Sequence, residues 1–109
     1  MLDDASYNTR VAEVFKRLLK GLDAVDPDAL DADSTGDMVT VTGAASGQKV
    51  VINTQRAVRQ LWVAGKGAGI HFDFDPASAR WLDDKGKGLE LFAWISECVE
   101  AASGAKVAL

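Results

Sequence analysis

The sequence has little of the residue types on which common catalytic and metal sites are built. Its 109 residues include one cysteine, Cys98, and one histidine, His71. A lone thiol has no partner for an internal disulfide or for a C-x-x-C redox or zinc pair. No Ser/His/Asp constellation and no glycine-rich phosphate loop can be recognised by spacing, so we do not expect an enzyme.

Long hydrophobic runs are absent as well. No stretch approaches the roughly 18 consecutive apolar residues that cross a bilayer, and the N-terminal MLDDASYNTR lacks the charged-then-apolar pattern of a signal peptide. We therefore expect a cytoplasmic protein with no membrane partner. Since 48% of the residues are hydrophobic, the chain can build one core, and we expect a single domain over residues 1–109.

Acidic side chains are missing from the middle of the chain. Residues 38–71 contain four bases and no acid, whereas residues 1–37 carry nine acids against four bases and residues 72–109 carry seven against four. The net charge of −4 is therefore unevenly spread. Because phosphate binding depends on clustered Lys and Arg, the acidic first third argues against a nucleic-acid partner and favours cations or a basic protein surface.

Two segments have the periodicity of amphipathic helices. Apolar residues recur every three or four positions from Tyr7 to Val25, which predicts a helix over about residues 4–24 that Pro27 prevents from continuing. A second apolar stripe runs over residues 91–102, with glutamates opposite and Gly104 as the stop. Cys98 lies on this stripe, which predicts an inert core thiol.

The segment between the helices alternates with a period of two. Strands are predicted near residues 38–42, 48–53, 58–64, 70–75 and 80–83. The order of helix, strands and helix, joined by short hairpin loops, predicts an α+β fold. We expect a two-layer sandwich in which an N-terminal and a C-terminal helix pack on one face of an antiparallel sheet.

Strand alternation leaves one sheet face without helices. That face carries mostly hydrogen-bonding side chains around one indole, Trp62. Its polar neighbours include Asn53, Gln60, His71 and Asp73. A single exposed tryptophan can simply lie along a sheet, or it can anchor a partner with polar neighbours as the rim. Periodicity alone leaves both interpretations open.

An acidic run follows the first helix, with no Lys or Arg between Leu22 and Asp37. Its carboxylates belong to Asp23, Asp26, Asp28, Asp31, Asp33 and Asp37. Such a run is either a solvated charged face or a functional surface. Carboxylate oxygens favour hard cations such as Mg²⁺, Ca²⁺, Mn²⁺ or oxidised iron, and exposed carboxylates predict weak, exchangeable binding. An EF-hand is excluded because the twelfth position from Asp31 is Thr42.

Three central motifs carry a family resemblance. They are NTQRAVRQLW at 53–62, GIHFDF at 69–74 and RWLDDKG at 80–86, and together they resemble the signature of the frataxin family, of the bacterial CyaY type. The flanking elements fall in the family's order, so the resemblance covers essentially the whole chain. It implies the fold predicted above and a role as an iron-binding regulatory adaptor of iron-sulfur cluster assembly.

The resemblance also implies particular residues. It implies weak, exchangeable binding of Fe²⁺ or Fe³⁺ on an acidic ridge formed by the first helix and first strand. Here the ridge corresponds to Asp23, Asp26, Asp28, Asp31 and Asp33, with Asp4 nearby. Helix one departs from bacterial relatives, because Lys16, Arg17, Leu19 and Lys20 stand where glutamates are usual, so its contribution of metal ligands is in question.

The implied partners are a cysteine desulfurase and the iron-sulfur scaffold protein. They would meet the acidic ridge and the bare sheet face, with Trp62 as the contact anchor; Asn53, Gln60, His71 and Asp73 lie around it. The expected state is a monomer. The alternatives are a ferroxidase and an iron-storage protein, the latter with iron-dependent oligomers.

Overall fold

The computed structural model describes residues 2–109, which form two α-helices, one 3₁₀ turn (Arg56–Val58) and one six-stranded sheet. The elements in chain order are α1 (Asp4–Asp23), β1 (Leu30–Ser34), β2 (Met38–Gly43), β3 (Lys49–Gln55), β4 (Gln60–Gly65), β5 (Ala68–Asp75), β6 (Arg80–Asp83) and α2 (Leu91–Ser103). The strands neighbour one another in chain order and pair antiparallel throughout, so β1 and β6 are the edges. The predicted α+β class is confirmed.

Side-chain caps fix the first turn of both helices. Asp3 accepts a hydrogen bond from the Ser6 N–H at 2.7 Å and so caps the start of α1. Glu90 caps α2 in the same way through the N–H groups of Phe92 and Ala93. Gly104 ends α2 with φ 74°, a left-handed conformation that glycine adopts without steric cost. Neither helix is long and apolar enough to cross a membrane within the described residues.

Strand β1 was not predicted from the periodicity of the sequence. Strand β1 pairs with β2 from Leu30↔Gly43 to Ser34↔Val39, although its sequence LDADS contains one buried residue, Leu30. An edge strand can expose nearly all its side chains, so the apolar alternation that marks the inner strands is absent here. The sheet therefore has six strands instead of the five predicted from periodicity.

The core lies between the helices and one face of the sheet. The residues that the inner strands turn towards the helices are fully buried at Val39, Val41, Val50, Ile52, Leu61, Val63 and Phe72. Ile70 and Phe74 are partly buried against this core. Cys98 is 1% exposed, as its place on the apolar stripe predicted, and burial raises the pKa of its thiol to about 11.

Residues after α2 return across α1. Val107 is 8% exposed, and Arg17 Nη2 donates to the backbone oxygen of Leu109 at 2.9 Å. The crossing is close because Gly21 has no side chain: a Cβ built there would lie 2.7 Å from the backbone oxygen of Ala108. Residues after α2 therefore contact α1 at Arg17 and Gly21 and also add Val107 to the core.

Candidate docking and metal-binding surface

The uncovered sheet face has a row of three predicted residues at its centre. Asn53 registers with Trp62 and Trp62 with His71, so the three side chains stand side by side across β3, β4 and β5. Each is partly buried. The indole also packs over Gly69, where a Cβ would lie 2.8 Å from Trp62 Nε1. Gly69 is thus the diagonal neighbour that gives the large ring room on the sheet.

A polar cluster adjoins this row. The Gln60 side-chain amide donates to Asp73 Oδ1 at 3.0 Å and to Asp84 Oδ2 at 3.3 Å. Asp84 was not singled out from the sequence, because it lies just beyond β6. It reaches the cluster because its backbone N–H donates to the His71 carbonyl at 2.9 Å. The structure therefore brings together the predicted partner-binding residues and adds one carboxylate to them.

The acidic run begins at the end of α1 and continues into the edge strand. Asp23 is the last residue of α1, and Asp26 accepts a hydrogen bond from the Asp28 N–H at 2.9 Å in the connecting turn. Asp31 and Asp33 belong to β1. All five side chains are exposed.

Strand register assigns the two β1 carboxylates to a face. Asp31 registers with Thr42 and Asp33 with Thr40, and both threonines belong to the uncovered face. Strand β1 lies three places from β4 in the sheet order, which is about 14 Å at the usual strand spacing. The acidic strand and the Trp62 row therefore share one continuous face.

A groove of about 740 Å³ separates the end of α1 from β1. Its walls include Asp23 and Asp31, and also Lys20 and the 38%-exposed Leu19. The α1 wall of the groove thus combines Lys20 and Leu19 with one acid, Asp23. Two of the helix-one departures noted in the sequence, Leu19 and Lys20, lie where the helix faces the acidic strand.

The donor atoms fit a hard cation, but their arrangement does not form a cage. Carboxylate oxygens are the ligands that such ions prefer. Within residues 2–109, however, no three His, Cys, Asp or Glu side chains are grouped so as to hold a metal ion. The acids lie along an edge instead of converging on a point.

Asp4 does not lie near this run. It starts α1 and Asp23 ends it, which separates them by about 28 Å along the axis at 1.5 Å per residue. Asp4 Oδ1 instead accepts a hydrogen bond from Arg59 Nη2 at 2.7 Å. The expectation that Asp4 lies nearby is therefore wrong, because a continuous helix holds the two carboxylates at opposite ends.

The last acid of the run, Asp37, is also paired. Its Oδ1 accepts a hydrogen bond from Arg56 Nη2 at 2.7 Å, and Arg56 contacts Asn8 of α1 as well. The hydrogen bond from Arg56 holds the pKa of the Asp37 carboxyl below its usual range. Two bases from the acid-free middle of the chain thus neutralise acids of the first third.

One buried carboxylate was not recognised from the sequence. Asp83 is 8% exposed and accepts hydrogen bonds from the N–H groups of Lys85, Lys87 and Leu89 at 3.2, 2.9 and 2.8 Å. The bond from the Lys87 N–H, together with those from Leu89 and Lys85, holds the pKa of the Asp83 carboxyl below its usual range. Asp83 fixes the loop that leads to α2 and takes no part in the docking face.

Residues 1–105 match a family model described as a frataxin-like domain. The chain belongs to the frataxin family. It is of the CyaY type: it is 32% identical to the iron-sulfur cluster assembly protein CyaY of Albidiferax ferrireducens, over 99% of this chain and 98% of the relative. The CyaY of Delftia acidovorans is 43% identical over 75% of this chain and 70% of the relative.

A solved frataxin structure has the same fold. The frataxin from Psychromonas ingrahamii superposes with a TM-score of 0.83 and covers 97% of this chain and 96% of its own. Sequence identity between the two is 22%, so this likeness bears on the fold alone. The frataxin arrangement of two helices on one side of an antiparallel sheet agrees with the layers described above.

Proposed function

We propose that this frataxin acts in iron-sulfur cluster assembly as a regulatory adaptor, which binds iron weakly and docks onto a cysteine desulfurase and the scaffold protein. The process is suggested by relatives that are named iron-sulfur cluster assembly proteins. The observation that carries the docking proposal is the shared face: Asp31 and Asp33 on β1 lie on the same side of the sheet as the row of Asn53, Trp62 and His71.

Docking would combine long-range attraction with one apolar anchor. The exposed carboxylates of β1 and of the turn before it attract a basic partner surface and raise the rate of encounter. Trp62 then supplies contact area with few rotors to immobilise, and Gln60 and Asp73 belong to its polar rim. The two contributions separate experimentally, because salt screens the first and leaves the second.

Iron would bind to the carboxylates of the turn and edge strand. These are Asp23, Asp26, Asp28, Asp31 and Asp33. Because they do not converge, each ion would meet one or two carboxylates and complete its shell with water, which makes binding weak and exchange rapid. Asp4 is left out of this set, since it pairs with Arg59 at the far end of α1.

Binding to purified cysteine desulfurase tests the docking proposal. We expect the double variant Asp31→Asn/Asp33→Asn to bind about fivefold more weakly and to lose much of the salt dependence between about 50 and 300 mM. The control is Glu97→Gln/Glu100→Gln, which removes the same charge from exposed positions of α2. Equal weakening by both double variants, or affinity that does not change with salt, would contradict electrostatic docking through β1.

Anaerobic titration with Fe²⁺, followed by amide chemical shifts, tests the metal proposal. We expect shifts over residues 23–33 and none at Asp4. Shifts centred elsewhere would contradict the assignment. Admitting oxygen then separates the alternatives: oxygen uptake faster than the buffer blank indicates a ferroxidase, and iron-driven oligomers in size-exclusion chromatography indicate a store.

A further inference from the structure

A second charged region lies at the other edge of the sheet, between α1, β6 and the start of α2. Two adjoining hollows of about 160 and 140 Å³ share the wall residues Arg17, Ala79, Trp81 and Phe92. The first hollow also has Arg10 and Glu13 in its wall, and the second has Arg80 and Glu90. We call the two hollows together the arginine cleft. Three arginines thus line one small depression.

The two glutamates of the cleft already have partners. Glu13 Oε2 lies 3.3 Å from Arg10 Nη1, so these charges offset each other. Both oxygens of Glu90 accept backbone N–H groups of α2, where the positive end of the helix dipole compensates the charge. Neither Arg17 nor Arg80 lies within salt-bridge distance of an Asp or Glu in residues 2–109, although Asp75 stands opposite Arg80 in the register of β5 and β6. The residues that line the cleft, three arginines and two glutamates, therefore carry one net positive charge.

Aromatic rings hold two of the three guanidinium groups in place. The Arg17 guanidinium lies 3.9 Å from the centroid of Phe92 and also donates to the Leu109 backbone oxygen. Arg10 lies 4.8 Å from the centroid of Phe74, and buried Trp81 contacts Phe74 edge-on. A stacked guanidinium loses little freedom when it binds, and its planar fork of five donors matches the two oxygens of a carboxylate or phosphate.

The wall between the hollows is conformationally unusual. Ala79 has φ 55°, a left-handed conformation that disfavours a residue with a Cβ. The turn before it is fixed by Asp75, which accepts hydrogen bonds from Ser78 Oγ at 2.6 Å and from the Ala77 N–H at 3.3 Å. These bonds hold Ala79 in this conformation, so the turn gives the wall of the cleft a fixed shape.

We propose that the arginine cleft binds a small oxyanion, a phosphate or carboxylate group, between Arg17 and Arg80. The site is separate from the acidic run, which lies at the β1 edge of the same sheet. An anion there would use the free donors of Arg17 that do not face Leu109. The proposal does not depend on iron binding or on desulfurase docking.

The test is titration of the ¹⁵N-labelled full chain with inorganic phosphate, and separately with citrate, at constant ionic strength maintained by chloride. We expect saturable shifts at Ala79, Trp81 and Phe92. Arg17→Gln should weaken binding about tenfold, the size expected for loss of a charge-assisted bidentate contact. The matched control Lys16→Gln removes the same charge from an exposed neighbouring position outside the cleft and should change affinity less than about twofold.

Several outcomes would overturn the proposal. Linear, unsaturated shifts would mean general ionic screening, and so would equal losses in Lys16→Gln and Arg17→Gln. Because Arg17 also packs on Phe92 and Leu109, Arg80→Gln provides an independent variant should Arg17→Gln fail to fold, and it should weaken binding as well. Saturable binding of phosphate alone, or of citrate alone, supports the proposal and identifies which oxyanion the cleft prefers. If neither anion binds, the proposal is wrong.

Discussion

The two faces of the sheet differ in what their side chains contact, although they alternate residue by residue along the same strands. On β4, Leu61 is fully buried beneath the helices, and the next residue, Trp62, is partly exposed on the other side. The covered face is closely packed, so a small change in volume there costs stability. The uncovered face has no layer above it, so the same change there affects mainly what binds.

The largest effect on stability is expected from Leu61→Ala. Removal of a fully buried leucine leaves a cavity and should lower the free energy of unfolding by about 2–5 kcal/mol. Urea unfolding gives this value. The affinity of the folded variant for the desulfurase should stay unchanged. A loss of affinity under conditions where the variant is folded would contradict the proposed difference between the two faces.

Two glycines give a matched pair of smaller effects. A Cβ at Gly65 would lie 2.8 Å from Cys98 Cβ of α2, and we expect Gly65→Ala to cost about 1–3 kcal/mol through overpacking. A Cβ at Gly69 meets the Trp62 ring on the uncovered face, which can move outward. Gly69→Ala should therefore alter desulfurase binding more than the unfolding midpoint, and the reverse order would contradict the comparison.

Asp83 tests how the covered face tolerates a charge. Its folded pKa is lowered, so the stabilisation is present above the ordinary carboxyl pKa of about 4 and is lost as pH falls through the folded pKa. Asp83→Asn should be less stable at neutral pH, by less than Leu61→Ala, and should lose a smaller part of its stability on acidification. Unfolding curves at pH 7 and below pH ~4 measure this, and parallel pH profiles would contradict it.

Trp62→Ala should have a small effect on stability and a large one on docking. Because the indole is partly buried on a face with no layer above it, we expect a loss of about 1–2 kcal/mol in unfolding free energy. Desulfurase affinity should fall about 30-fold, as for an interface hot spot. Affinity within twofold of the unchanged protein would favour the other interpretation, in which the ring merely covers Gly69.

The smallest stability effect is expected from Asp31→Asn/Asp33→Asn. Both side chains are exposed on an edge strand, so the unfolding free energy should change by about 0.5 kcal/mol or less, towards greater stability because like charges are removed. Chemical unfolding at low salt measures it. A large loss of stability would show that β1 needs its carboxylates for folding. It would contradict the view that changes on the uncovered face affect mainly binding.

Much of the fold could be predicted because its elements have strong internal periodicity. The stripe from Tyr7 to Leu22 and the alternation around Val39 and Val41 identify helix and strand without reference to any partner. Strand β1 could not be found in this way, since Leu30 alone of its five residues is buried. Strand β1 joins the sheet through backbone hydrogen bonds to β2.

The candidate surface divides in the same way. Trp62 and its polar neighbours follow from alternation within single strands. The pairing of Asp4 with Arg59 and of Asp37 with Arg56 joins residues 55 and 19 positions apart, which spacing along the chain does not indicate. The arginine cleft likewise joins α1 to residues after β5 and at the start of α2.

The sequence by itself therefore determined the two helices, the inner strands and the residues that face away from the helices, because helical and strand geometry sets side-chain direction locally. It also supplied the motifs of the frataxin family. Only the tertiary structure decided that Asp31 and Asp33 lie on the face of Trp62 and that Asp4 pairs with Arg59. The register between β1 and β2 and the contact between Asp4 and Arg59 join separate parts of the chain, whereas the distance from Asp4 to Asp23 follows from the length of α1, which the periodicity predicted.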